Sequence, residues 1–186
     1  IGTLTSPIVG PLAKSGAENA AGNIALTIPN TASGRLAGAS CIVTGGARGI
    51  GYGIAARLGK EGATRVTIVD LNPSSLEAAC ASLKELAPNC IFNGEACDVG
   101  DDKTVAKIWD KIASESGGRI DVLVQAAGIV GATNLKTEDV DPENFDAVFR
   151  VNVRGIFNGC KAALPYMREN GYGRIVNISS IAGKEG

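Results

Sequence analysis

Positions 44 to 51, Thr44-Gly45-Gly46-Ala47-Arg48-Gly49-Ile50-Gly51, gather four glycines where a short β-rich run ends and a helical pattern begins. Such a turn can bring the backbone against a pyrophosphate, because glycine has no Cβ to hold it away. The helix that follows points unpaired N–H groups and the positive end of its dipole at the phosphates. Taken alone, a glycine-rich turn is only a turn. Here a carboxylate, Asp70, stands 19 residues beyond Gly51 at the end of the next strand, where it can accept hydrogen bonds from an adenosine ribose. The candidate cofactor contacts are Gly45, Ala47, Arg48, Gly49, Ile50 and Gly51 in the turn, with Asp70 and Leu71 at the strand end. An acid in that place repels a 2′-phosphate, so NAD is expected in preference to NADP, with Arg48 partly offsetting the repulsion.

Other chemistries are excluded by residue type. The chain contains no His, which removes Ser-His-Asp and Cys-His nucleophile systems and the common His-bearing metal sites. Five cysteines, Cys41, Cys80, Cys90, Cys97 and Cys160, are odd in number and show no C-x-x-C spacing. They are expected to be mostly buried small hydrophobes, and no metal is expected. Acid–base work falls to carboxylates, Lys, Tyr, Cys or the cofactor.

The elements that must position the turn follow from periodicity. Strands are expected at Ser40–Thr44, Arg65–Asp70, Cys90–Cys97 (the weakest), Ile120–Gln125 and Arg174–Ser179. Helices are expected at Ile50–Glu61, Ser74–Leu86 and Asp101–Ser116, with one long helix from Pro142 to Asn170. Asn72-Pro73-Ser74 supplies cap and first-turn chemistry, and a loop occupies 129–141. Alternating strands and helices at this spacing imply a doubly wound α/β fold with a parallel sheet.

Apolar residues at 45% suit a substantial core, and a net charge of −1 leaves no basic footprint for nucleic acid or membrane. The apolar runs are too short to span a bilayer. A soluble protein in a reducing intracellular compartment is expected, the cytoplasm first and an organelle matrix as the alternative. Residues 1–34 are rich in Gly, Ala, Ser, Thr and Asn, and Pro7, Gly10 and Pro11 interrupt any signal-like apolar stretch. They are expected to form an extended or weakly ordered arm before a dinucleotide-binding domain over 35–186.

The spacing T-G-x-x-x-G-x-G resembles the short-chain dehydrogenase/reductase family, in particular its 3-oxoacyl-reductase and secondary-alcohol dehydrogenase type. Further resemblances follow in order over residues 36–186. Asp98-Val99 resembles the family's Asp-Val pair, whose carboxylate meets the adenine ring. Gln125-Ala126-Ala127-Gly128 stands in place of Asn-Asn-Ala-Gly: the Ala126, Ala127 and Gly128 backbone borders the cofactor, and the bracing Asn side chains are replaced. Asn152 in Val151-Asn152-Val153-Arg154-Gly155 resembles the helix Asn that holds a proton-relay water. Arg174-Ile175-Val176-Asn177-Ile178-Ser179-Ser180 resembles the fifth strand, whose second Ser orients the substrate carbonyl; by register this is Ser180, with Ser179 as the alternative.

The resemblance implies a Rossmann-like sheet, incomplete at its C-terminal end, and hydride transfer between NAD(H) and a small secondary alcohol or ketone. It also implies a homo-oligomer paired through Phe145–Met167. The family's catalytic Tyr-x-x-x-Lys is missing: Tyr52, Tyr166 and Tyr172 are followed at the fourth position by Ala56, Asn170 and Val176. Without a positioned acid such a reaction loses a factor of order 10²–10⁴, so these 186 residues alone are expected to be inactive. The fifth strand would then be a poorly covered edge at Ile175, Val176 and Ile178. The alternative from another class is a non-catalytic dinucleotide-binding or structural subunit on the same fold.

Overall fold

The computed structural model describes residues 34–181. The arm expected over 1–34 therefore lies outside the described residues, except for Gly34. Five parallel strands form one sheet in the order β3-β2-β1-β4-β5: β1 (Ser40–Thr44), β2 (Arg65–Asp70), β3 (Ile91–Ala96), β4 (Val122–Gln125) and β5 (Arg174–Asn177). The intervening helices are α1 (Gly49–Lys60), α2 (Pro73–Leu86), α3 (Asp102–Glu115), α4 (Pro142–Phe149) and α5 (Gly155–Glu169).

Strand alternation divides the core in two. On one face Cys41, Val43, Val66, Ile68, Val122 and Val124 meet Ala55 of α1 and Leu76, Ala79 and Leu83 of α2. On the other, Ile42, Val69 and Leu123 meet Val105, Ile108, Trp109 and Ile112 of α3 and Ala163 and Met167 of α5. Burial on both faces is why β1, β2 and β4 read as nearly continuous apolar runs. The Asn72 side chain caps α2 by accepting from the Ser75 N–H at 3.1 Å, and Asp101 caps α3 through the Lys103 N–H at 3.1 Å.

The strand boundaries and those of α1, α2 and α3 fall within two residues of expectation. β4 begins at Val122, and the preceding Asp121, buried, turns its carboxylate to the Ser40 N–H at 2.8 Å and to Arg119. β5 stops at Asn177, after which only the Ile178 N–H continues the ladder, to Gln125 O at 2.9 Å. The long helix expected over Pro142–Asn170 is interrupted by a π segment at Arg150–Arg154. β5 forms one edge of the described sheet; Val176 is exposed, and Ile175 and Ile178 are half-buried. Among the described residues no helix is long and apolar enough to cross a membrane.

Candidate active site

β1 leads into α1 on one face of the sheet, and the chain leaving β4 reaches α5 on the other. Strand order therefore reverses between β1 and β4, and the crevice in which open α/β sheets bind ligands lies outside the C-terminal ends of such strands. The glycine turn lies there.

Its glycines answer different demands. A Cβ on Gly45, whose φ is +66°, would lie 2.7 Å from Ala126 O, so this glycine lets β1 and the end of β4 approach. A Cβ on Gly51 would lie 2.2 Å from Gly45 O, so the first turn of α1 sits directly on the loop. Gly49 has φ +58° and nothing within 4 Å of where its Cβ would be. That position is open, as the close approach of a phosphate to the backbone would require. The N-cap Arg48 makes no side-chain cap, and the first turn of α1 carries no acid, so the helix dipole faces the crevice without a competing anion from either. Arg48, Ile50 and Leu71 are exposed around it.

Asp70 ends β2 half-buried beside this turn. One carboxylate oxygen accepts from the Ala47 N–H at 3.1 Å and the other from the Leu71 N–H at 2.8 Å. The acid expected to face a ribose therefore also braces the phosphate turn. From the other side, the Thr44 hydroxyl accepts from the Ala127 N–H at 3.2 Å, and Thr44 O accepts from the Ala126 N–H at 3.2 Å. Asp98 accepts from the Gly100 N–H at 2.8 Å and from Arg150. Val99 is buried: its carbonyl accepts from the Asn158 side chain at 2.9 Å, and a Cβ on Gly155 would meet its Cγ2 at 2.7 Å.

Asn152 lies inside the π segment, and its amide reads both backbone groups of Ile129: Oδ1 accepts from the N–H and Nδ2 donates to the carbonyl, each at 2.9 Å. A Cβ on Gly128 would lie 3.4 Å from the same Oδ1, so the Ala-Gly end of β4 rests on Asn152. Ser179 and Ser180 follow β5, exposed at the same end of the sheet. Gln125 is buried, and its Nε2 donates to Asn177 Oδ1 at 2.9 Å and to Ile156 O at 3.1 Å, tying β4 to β5 and to α5.

Thr44, Gln125, Arg150 and Asn177 are the residues that sequence reasoning left out of the site. Thr44 was visible as the first residue of the glycine motif. The others act on partners far away in the chain, and no local pattern marks them.

The cysteines offer no activated thiol. Burial raises all five thiols, Cys90 and Cys97 to about 11. Among the described residues no group of three or more His, Cys, Asp or Glu could hold a metal.

The family model for short chain dehydrogenase matches residues 39–186. The chain belongs to the short-chain dehydrogenase family. It is 41% identical over 153 residues to the 2-dehydro-3-deoxy-L-rhamnonate dehydrogenase (NAD(+)) of Sphingomonas sp. strain SKA58, covering 82% of this chain and 58% of that one. NAD⁺-bound xylitol dehydrogenase superposes with a TM-score of 0.77 at 35% identity, over 82% of this chain and 56% of that structure. A metagenomic short-chain oxidoreductase in complex with NADP superposes with a TM-score of 0.73 at 33% identity, over 80% of this chain and 65% of that one. The chain thus spans a little over half the length of the short-chain dehydrogenases it matches. The doubly wound parallel sheet is the architecture these relatives share, and nicotinamide dinucleotides of both kinds occur among them.

Proposed function

We propose that this chain forms the cofactor-binding half of an oxidoreductase that moves a hydride between NAD(H) and a small secondary alcohol or ketone. The observation that carries this reading is the open position at Gly49, facing the N-terminus of α1 and backed by Asp70. The nicotinamide, when bound, supplies the hydride acceptor or donor. The turn and α1 hold the pyrophosphate, and Asp70 accepts from the ribose hydroxyls, which favours NAD over NADP. Leu71, Asp98 and Val99 border the adenine end, and Ala126, Ala127 and Gly128 border the cofactor at the end of β4.

Ser180 donates to the carbonyl oxygen, where negative charge develops in reduction. The Asn152 side chain makes one bond to Ile129 from each of its polar atoms and keeps a second lone pair on Oδ1 and a second proton on Nδ2, with which it can hold a relay water. No Tyr followed by Lys at the fourth position is present to pass the proton, so turnover is not expected from these residues alone. Phe145, Phe149, Val153 and Phe157, four residues apart and all exposed, form an apolar stripe along α4 and α5 that supports assembly with further copies of the chain. Five unpaired cysteines accord with a reducing compartment, the cytoplasm foremost.

Titration calorimetry with NAD⁺ and NADP⁺ tests the reading on the purified chain. Binding of both, tighter for NAD⁺, is the expected result. Absence of heat and of thermal stabilisation with either dinucleotide would sink it.

A further inference from the structure

Arg150 opens the π segment, and its guanidinium reaches back across the sheet edge to the loop after β3. Its Nη1 lies 2.5 Å from Asp98 Oδ2, while Asp98 Oδ1 accepts from the Gly100 N–H at 2.8 Å. The carboxylate is thus gripped from two sides, one oxygen by a cation and the other by its own loop. Gly100 packs against the same side chain: a Cβ there would lie 2.5 Å from Arg150 Nη1 and 2.9 Å from its Cγ. Two more contacts from the same helical stretch hold this loop, Asn158 on the Val99 carbonyl and Gly155 beneath the Val99 side chain. The Asp98 side chain nevertheless remains 34% exposed.

We propose that Arg150 is a positioning residue for base recognition: acting through Asp98, it makes the nucleotide site select a base that offers an exocyclic amine over one that offers a carbonyl there. This rests on the dinucleotide-binding reading above. An ionised carboxylate can only accept hydrogen bonds, so it attracts an amine and repels a carbonyl oxygen. The two-sided grip of Arg150 and the Gly100 N–H prevents that carboxylate from rotating to avoid a mismatched base. Each Asp98 oxygen has a further lone-pair direction beyond the bond it already makes. Arg150 itself need not touch the nucleotide.

The test compares NAD⁺ with its hypoxanthine analogue, in which a carbonyl replaces the adenine amine, by calorimetry on the wild-type chain and on Arg150→Met, Arg150→Lys and Asp98→Asn. The wild type is expected to prefer NAD⁺. Arg150→Met should lower that preference about tenfold, the order separating a charge-assisted from an ordinary hydrogen bond. Asp98→Asn should lower it similarly, and Arg150→Lys should retain most of it. Circular dichroism on each variant separates loss of fold from loss of selectivity, and Arg150→Lys keeps the comparison available if Arg150→Met does not fold. Equal weakening of both dinucleotides in the Arg150 variants would mean that Arg150 only braces the loop, and would overturn the proposal. A wild type that binds both equally well would overturn it while leaving the dinucleotide reading intact. A wild type that binds neither would overturn both.

Discussion

Gln125 at the end of β4 donates from Nε2 to Asn177 Oδ1 at the end of β5, 2.9 Å away, and the same nitrogen reaches Ile156 O in α5 at 3.1 Å. One buried amide therefore ties β4 to the strand that leads to Ser180 and to the helix that continues from the π segment of Asn152. The longer side chain has room only because residue 159 is glycine: a Cβ there would lie 2.2 Å from Gln125 Oε1.

The pair makes a coupled prediction. Gln125→Ala leaves the Ile156 carbonyl without this donor and should cost about 1–3 kcal/mol of stability. Gly159→Ala should cost a similar amount by steric conflict, about 1–3 kcal/mol. In the Gln125→Ala/Gly159→Ala double variant the clash is gone, so the combined loss should be less than the sum. Denaturant melts in a double-mutant cycle read this directly, and strict additivity would mean that the two residues do not meet.

Asp70→Ala should weaken NAD⁺ binding more than NADP⁺ binding, because it removes both the ribose acceptor and the charge that repels a 2′-phosphate. The expected change in the ratio of affinities is about tenfold. Because Asp70 also holds the Ala47 N–H, some loss should appear for both nucleotides. Calorimetric titration separates the two effects, and an unchanged ratio would show that the carboxylate serves the turn alone.

Two glycines of α1 should respond oppositely to alanine. In Gly51→Ala the new Cβ meets a backbone oxygen, Gly45 O, which no side-chain rotation relieves. The turn must shift, and nucleotide binding should fall below detection. Gly53, exposed with nothing within 4 Å of its Cβ position, should gain up to about 1 kcal/mol of stability as alanine, with binding unchanged. Thermal melts with and without NAD⁺ distinguish these outcomes. Loss of binding in Gly53→Ala would place the nucleotide elsewhere on α1.

Acid stability should depend on Glu61. Its hydrogen bonds to the Arg35 and Arg57 guanidinium groups, with their charge, lower its pKa from the ordinary 4.5 to about 2. On acidification the unfolded chain takes up this proton before the folded one does. The stabilisation is therefore complete above the ordinary glutamate range and is lost as pH falls from 4.5 to about 2. Thermal midpoints of the wild type and Glu61→Gln, measured across that interval, should converge at its acid end. Parallel curves would show that the ion pairs contribute nothing.

The glycine turn, the strands β1, β2 and β4 and the cap at Asn72 were legible in the sequence because each answers to short-range sterics or to a periodicity of neighbouring residues. Asp70 was legible for the same reason, as an acid at a strand end a set distance beyond the turn. Its second bond, to the Ala47 amide, was not, since it depends on where two chain segments meet. The π segment was hidden inside a continuous helical pattern. There the Asn152 amide holds the backbone of Ile129, 23 residues earlier, and no local propensity encodes that encounter.

The sequence by itself thus determined the alternation of elements, the faces they bury and the presence of a tight glycine turn at the head of α1, because apolar period and glycine placement act within a few residues. Only the tertiary structure decided that Gln125 reaches Asn177 of β5, that Asn152 holds Ile129, and that Arg150 grips Asp98 52 residues away. These are contacts between side chains brought together by strand order, and strand order depends on how the whole sheet buries its two faces at once.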